Sequence, residues 1–210
     1  MRIHLIKNQP NIHYNIKCWK KSDCPLLLIT GLSGSGKTTY AKKIAQKNNA
    51  ILVSFDVLKF YNEASEDSKK ILDIFLESYP QIQKLIQTHW KKTDNIYTND
   101  KLYNYYCNIF FDFLIEYSKK QSKRIILEGI QIFVRLHPSK TVKMPLIIVG
   151  SSCFKSSKNK FKRDFIEAQN KFSLYKYMHQ LYLYHIKQYF DINKFILYYR
   201  ICDLNINFKG

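Results

Sequence analysis

The stretch Gly31-Leu32-Ser33-Gly34-Ser35-Gly36-Lys37-Thr38 decides the fold of this chain. It matches the pattern G-x-x-x-x-G-K-[ST], the Walker A phosphate-binding loop, at every fixed position. The apolar run Pro25–Thr30 before it is typical of a strand buried on both faces, and the run Thr38–Lys47 after it predicts a helix. Strand, glycine-rich loop and helix are the context that the motif requires, so the sequence predicts a binding site for a nucleoside triphosphate.

Each kind of residue in this loop has a predicted task. The glycines let the backbone bend tightly and turn a nest of N–H groups toward an anion, and the helix that follows presents its positive end to the same phosphates. Lys37 is expected to reach the β- and γ-phosphates, and the Thr38 hydroxyl to ligate Mg²⁺. The predicted nucleotide-binding residues are Gly31, Ser33, Gly34, Ser35, Gly36, Lys37, Thr38 and Thr39.

Two carboxylates follow predicted strands, at the edge where open α/β sheets bind ligands. Glu128 ends the strand Arg124–Gly129, where it is expected to hold an Mg²⁺-bound water or a substrate hydroxyl; the alternative is a strand end that faces solvent. Asp56 ends the strand Ile51–Phe55, where it is expected to orient or deprotonate an acceptor hydroxyl. The alternative for Asp56 is a helix N-cap.

Two further segments are predicted around these strands. Apolar residues at helical spacing make Asn62–Lys120 a helical insert, broken or kinked at Pro80, whose aromatic stripes favour a core role over base stacking. The basic segment at about 151–170 favours a mobile lid whose cations neutralise the transferred phosphoryl group, with Arg163 as the preferred charge stabiliser. A solvated charged face is the alternative. Arg135 and His137 lie beyond the third strand, and we expect ordinary polar roles for them and no site there.

The order of elements predicts an α/β fold. A fourth strand is expected at Pro145–Gly150, a helix from Phe172 to about Tyr189 and a last strand at Phe195–Tyr199; Ile12–Trp19 is a weaker strand prediction. Strands that alternate with helices imply a parallel sheet covered on both faces. The expected architecture is a three-layer sandwich with a mostly parallel five-stranded sheet, in a single domain over residues 1–210.

Composition limits the other classes of function. The chain has 34 Lys and Arg against 16 Asp and Glu, a net charge of +18, which favours anionic partners such as nucleotides or nucleic acid, although an A·T-rich coding sequence would also produce it. No apolar run approaches the about 20 residues of a membrane span. Five scattered cysteines without a Cys-x-x-Cys pair favour neither disulfides nor zinc, and predict a reduced, cytoplasmic setting.

The run Gly31–Ala41, "GLSGSGKTTYA", resembles the phosphate loop of the small P-loop kinases. That group includes adenylylsulfate, shikimate, gluconate and uridine kinases, the zeta toxins and the polynucleotide kinases. Asp56 resembles the acceptor-side aspartate of the superfamily, and the "ILEG" at Ile126–Gly129 resembles its third-strand carboxylate. The resemblance implies Mg²⁺-ATP as phosphoryl donor and inserted helices that bind the acceptor. The "SFD" around Asp56 lacks the D-x-D or D-G-D of several members.

Three functions follow as hypotheses. The first is an ATP-dependent kinase acting on an anionic or nucleotide-like acceptor, the second a kinase acting on a polynucleotide 5′-hydroxyl, and the third a nucleotide-binding regulatory NTPase. A GTPase is disfavoured because Glu128-Gly129-Ile130-Gln131 and Asn193-Lys194-Phe195-Ile196 depart from D-x-x-G and N-K-x-D. An L-S-G-G-Q signature of ABC ATPases is absent from the sequence, and the chain is short for an AAA-type motor.

Overall fold

The fold is taken from a computed structural model. It describes residues 16, 19–20, 26–58, 60–91, 100–141, 144–149, 156–159, 182–188 and 190–191. The strands are β1 (Leu26–Gly31), β2 (Ile51–Ser54), β3 (Ile125–Glu128) and β4 (Leu146–Val149). The helices are α1 (Lys37–Asn48), α2 (Glu66–Ser78), α3 (Pro80–Lys91), α4 (Asp100–Lys120), α5 (Gln131–Val134) and α6 (Pro138–Thr141), with 3₁₀ turns at Phe55–Leu58 and Tyr61–Glu63.

The four strands form one sheet in the order β2-β3-β1-β4, and all three pairings are parallel. In this register Glu128 lies beside Ile29 on one side and Ser54 on the other. The carboxyl ends of the strands therefore meet at one edge. The α/β fold with a parallel sheet is confirmed, and the four strands predicted from Pro25 to Gly150 are present. The fifth, at Phe195–Tyr199, lies outside the described residues.

Alternate residues of β1 enter two different cores, as a strand buried on both faces requires. Leu27 and Ile29 pack with α1 on one face, together with the fully buried Trp19. Leu26 and Leu28 pack on the other face with the helices of the insert. Trp19 has helical backbone, as does Ile16, so the extended conformation predicted for Ile12–Trp19 is wrong at these two residues.

Three helices of the insert, α2 to α4, carry the larger core. Ser65 caps the start of α2 by accepting a hydrogen bond from the Ser68 N–H. The predicted break at Pro80 falls between helices, because Pro80 is the first residue of α3, where its missing N–H costs little. The aromatic stripes meet across the helices, with the Phe75 ring centroid 5.1 Å from that of Phe110 and 5.3 Å from that of Phe113. Their predicted core role is confirmed, except at Tyr105 of α4, which is 55% exposed.

Among the helices in the described part of the chain, none combines the length and apolar character that crossing a membrane requires.

Candidate functional site: a phosphate loop and its neighbours at the carboxyl edge

The glycine-rich loop leaves β1 in a conformation that two glycines make possible. Gly31 has φ +153°, and a Cβ there would lie 2.5 Å from the Val149 carbonyl oxygen of β4. Gly36, immediately before α1, has φ +89°, and a Cβ there would meet no other atom within 4 Å. Glycine is therefore favoured at this position by the backbone conformation alone. Between them the Ser35 N–H donates to the Leu32 carbonyl at 3.0 Å. The loop is thus a tight turn that delivers the chain directly into the first turn of α1.

The predicted nucleotide-binding residues lie together on this loop and on the first turn of α1. The first N–H groups of a helix have no partner within it, and the helix dipole adds positive charge at the same end. Lys37 is the first residue of α1. Its ammonium lowers the pKa of Glu128, so its charge acts at the carboxyl edge of the sheet. This arrangement can accommodate a polyphosphate.

Glu128 is buried at the end of β3, with 2% of its surface exposed. The alternative that Glu128 is a strand end facing solvent is therefore excluded. Burial raises the pKa of this carboxyl, while Lys37 and hydrogen bonds from Ser54 and Thr38 oppose the rise. The Thr38 hydroxyl lies 3.3 Å from Glu128 Oε2. A hydroxyl and a carboxylate oxygen side by side are hard oxygen donors of the kind that Mg²⁺ takes, so the two residues predicted to ligate the metal fit it.

Asp56 lies in the 3₁₀ turn after β2, with its side chain exposed. Its Oδ1 accepts a hydrogen bond of 2.8 Å from Nε2 of Gln131, a side chain only 7% exposed at the start of α5. The charge of Asp56 also contributes to the raised pKa of Glu128, so the two carboxylates act at one edge. The sequence reasoning missed Gln131, although its place three residues after Glu128 was an available signal.

Further polar groups extend this arrangement into the Asp56 cluster, which we define as Asp56, Tyr103, Asn104, Gln131 and Arg135. Gln131 Nε2 lies 3.5 Å from the Tyr103 hydroxyl. The Arg135 guanidinium carbon lies 5.4 Å from the centroid of the Tyr103 ring, and Arg135 Nη1 donates to Asn104 Oδ1 at 3.2 Å. Desolvation raises the pKa of Tyr103 well above its usual value, so the phenol is neutral. The cluster combines a carboxylate, a neutral hydroxyl and a fixed cation.

The predicted lid is described only at residues 156–159, which are helical. Lys158 is exposed there, as a solvated charged face would have it. The lid cation Arg163 lies outside the described residues, as do Lys155, Lys160 and Lys162. Its role stays a prediction.

Side chains from the C-terminal third of the chain contact the phosphate loop, which the sequence did not predict. His185 Nε2 lies 2.8 Å from the Ser33 carbonyl oxygen, and the Ser33 N–H donates to Gln188 Oε1 at 3.4 Å. Asn159 Nδ2 donates to the Gly34 carbonyl at 3.1 Å. Both His185 and Gln188 belong to the helical residues 182–188, the described part of the helix predicted from Phe172. No local motif marks these long-range partners.

The parallel sheet, the loop between β1 and α1 and the carboxylate at the end of β3 define a P-loop NTPase fold, a nucleotide-binding class of α/β protein. A sequence-family model described as an AAA domain matches residues 26–99, which include β1, the phosphate loop, α1, β2 and Asp56. That family includes kinases. No curated protein matches the chain. The match covers less than half of the chain, and together with the fold it gives the coarse class of a nucleotide-binding P-loop protein.

Proposed function

We propose that the chain is an ATP-dependent phosphotransferase, which moves the γ-phosphoryl group of ATP to a hydroxyl or phosphate of a small-molecule or nucleotide acceptor. The observation that carries the proposal is the exposed Asp56 carboxylate, held through Oδ1 by the buried amide of Gln131. It belongs to the same sheet edge as the phosphate loop and Glu128. Binding a nucleotide needs the loop alone, whereas transfer also needs a group that orients the acceptor.

The loop side of the site supplies the groups for the donor. The first turn of α1 and the Lys37 ammonium bind the β- and γ-phosphates and spread the charge that develops on them. Thr38 and Glu128 would hold Mg²⁺, which when bound neutralises phosphate charge and orients the nucleotide. Only the ionised carboxylate of Glu128 is a good metal ligand. Burial raises the pKa of this carboxyl, so lowering the pH opposes metal binding by protonating it.

Asp56 acts on the acceptor. With Oδ1 engaged by Gln131, its other oxygen accepts the proton of an incoming hydroxyl. The hydroxyl oxygen bonds to the γ-phosphorus, the bond from that phosphorus to the β–γ bridging oxygen breaks, and ADP leaves. Since phosphoryl transfer proceeds through a loose transition state, the main contribution of Asp56 is to hold the hydroxyl in line, with proton acceptance second.

The acceptor that we propose carries a negative charge as well as a hydroxyl. Arg135 lies in the Asp56 cluster beside Tyr103, with its guanidinium fixed by that ring and by Asn104. A guanidinium fork oriented in this way suits a phosphate, sulfate or carboxylate group. A nucleotide or another phosphorylated alcohol meets both requirements, and the net charge of +18 favours its approach.

The test is transfer of labelled γ-phosphate from ATP with Mg²⁺ to pooled nucleosides, nucleotides, sugars, nucleotide-sugars and 5′-hydroxyl oligonucleotides. Lys37→Ala protein is the blank. A labelled acceptor in one pool supports the kinase and gives its substrate class. Preference for the phosphorylated member of a matched pair, lost in Arg135→Gln, supports the anionic acceptor. Label released only as inorganic phosphate contradicts the transferase.

Two other functions each have one observation in their favour. The positive charge favours a polynucleotide 5′-hydroxyl as acceptor, in which case binding of oligonucleotides falls steeply with added salt. The phosphate loop before the first helix is equally what a regulatory NTPase requires, and for that function ATP hydrolysis without any labelled acceptor is the expected outcome.

A further inference from the structure

His185 joins two parts of the chain through a hydrogen-bonded relay. Its ring is fully buried, with Nε2 at 2.8 Å from the Ser33 carbonyl oxygen and Nδ1 at 3.2 Å from the Ser157 hydroxyl, itself only 2% exposed. A carbonyl oxygen can only accept, so Nε2 must carry the hydrogen. In the neutral ring Nδ1 then accepts from the Ser157 hydroxyl. Both ring nitrogens are thereby satisfied without placing a charge in the protein interior.

The contact with Ser33 fixes more than one atom, because a peptide unit is planar. In a trans peptide the C=O and the following N–H point in opposite directions. When His185 holds the Ser33 carbonyl, the Gly34 N–H must point away from His185. Gly34 has φ +80°, and because glycine lacks a Cβ, its backbone can change conformation more easily than that of any other residue. The histidine therefore removes a freedom that the glycine introduces.

Neighbouring peptide planes are held in the same manner. Gln188, three residues after His185, accepts from the Ser33 N–H at 3.4 Å. The Leu32 carbonyl on that plane points the opposite way and accepts from the Ser35 N–H at 3.0 Å. Asn159 holds the Gly34 carbonyl at 3.1 Å. Three consecutive planes are thus fixed from residues 156–159 and 182–188, both outside the stretch that matches the AAA domain.

We infer that His185 is a positioning residue for the nucleotide, which aims the Gly34 N–H into the anion-binding nest through the relay Ser157–His185–Ser33. The inference rests on nucleotide binding at the phosphate loop. A preorganised nest does not lose conformational entropy when phosphate arrives, so loss of the relay weakens nucleotide binding. The expected scale is that of one hydrogen bond, about tenfold in affinity.

The first experiment reads the relay in the nucleotide-free protein. With ¹⁵N-labelled histidine, the nitrogen chemical shifts of His185 distinguish the two neutral tautomers. We expect the Nε2–H form in wild type and a displaced Gly34 amide resonance in Ser157→Ala, which frees one end of the ring. The Nδ1–H form would overturn the relay, since Nε2 then has no hydrogen for Ser33.

The second experiment compares two amides at position 185. The Gln side chain carries its nitrogen near the place of Nε2 and can still donate to the Ser33 carbonyl, whereas the shorter Asn cannot reach it. The probe is a fluorescent ADP analogue with Mg²⁺. We expect Kd to rise about tenfold in His185→Asn and to stay within about threefold of wild type in His185→Gln. Leu183→Ala, at a side chain 51% exposed on the same helical stretch, is the control and should leave Kd unchanged.

A merely structural histidine gives a different pattern. In that case both amide variants lose affinity equally, in proportion to their lowered unfolding midpoints without nucleotide, and the inference fails. If wild type binds no nucleotide, the proposed function fails separately, and the inference fails with it for want of a ligand to position. The tautomer measurement still decides whether the relay exists.

Discussion

The phosphate loop and the Asp56 cluster lie at one edge of the sheet and are built in opposite ways. The loop is one run of eight consecutive residues, Gly31 to Thr38, and we expect it to bind phosphate mainly through main-chain N–H groups. The Asp56 cluster uses side chains from the turn after β2, from α4 and from the segment after β3. A main-chain site tolerates few changes of backbone but is indifferent to most side chains, whereas a side-chain site is redefined by one substitution. In the proposed phosphotransferase the donor half therefore depends on the shape of the backbone, and the acceptor half on individual side chains.

The largest expected effect comes from the charged side chain of the loop, Lys37. Lys37→Ala should lower phosphoryl transfer by about 10³-fold, because the ammonium that offsets charge on the γ-phosphate is gone. Lys43→Ala, an exposed lysine on α1, is the control of equal charge. Transfer of labelled γ-phosphate measures both. Equal losses in the two variants would mean that general positive charge, and not the loop, is responsible.

Asp56→Asn should separate the two halves of the site. We expect turnover to fall by about 10²- to 10³-fold, because the amide cannot accept the proton of the acceptor hydroxyl. Affinity for ATP should stay near that of wild type, since the donor contacts are made by the loop. Asp67→Asn, an exposed aspartate in the first turn of α2, controls for the loss of charge. Unchanged turnover in Asp56→Asn would remove Asp56 from the mechanism.

The same contrast explains what could be predicted from the sequence. Gly31 to Thr38 were predictable because a run of neighbours forms the loop, and β1 to β4 because buried strands give continuous apolar runs. Asp56 and Glu128 were predictable as candidates because strand ends meet at one edge. Tyr103 and His185 were not, since each acts through a contact with a residue distant in the chain. Gln131 was marked only by its place three residues after Glu128, and its partner Asp56 is likewise distant in the chain. Periodicity marks which face of a helix is buried and gives no partner across the fold.

Glu128→Gln should weaken function and strengthen the fold. Turnover at limiting Mg²⁺ should fall by about 10²-fold, because a neutral amide is a poorer ligand than a carboxylate. The pKa of Glu128 is raised in the folded state, chiefly by desolvation. The contribution of the neutral Glu128 carboxyl to the free energy of unfolding is therefore complete below the pKa of the unfolded chain, about 4.3. It is lost as the pH rises through the pKa of the folded state. The nucleotide-free variant should consequently unfold about 2–4 °C higher than wild type at pH 8.

Thermal scans from pH 4 to pH 8 check the sign of this effect. The advantage of Glu128→Gln should shrink toward pH 4, where the wild-type carboxyl is itself neutral. Glu116→Gln, at an exposed position of α4, should show no such pH-dependent gain. A variant that is less stable than wild type at pH 8 would show that Lys37 and the hydrogen bonds outweigh desolvation.

The smallest expected effect tests whether the Asp56 cluster depends on internal support as the loop does. Gln131→Met keeps the volume of the side chain and removes the amide that donates to Asp56 Oδ1 at 2.8 Å. Turnover should fall about tenfold, the lower end of the scale for one hydrogen bond to a charged group, with affinity for ATP unchanged. Gln121→Met, at an exposed position after α4, is the matched control. In a background of Asp56→Asn the change at Gln131 should add almost nothing, because the carboxylate that it orients is absent. Additive losses would instead mean that Gln131 contacts the acceptor itself. The Asp56 cluster would then lack the internal support that the loop has.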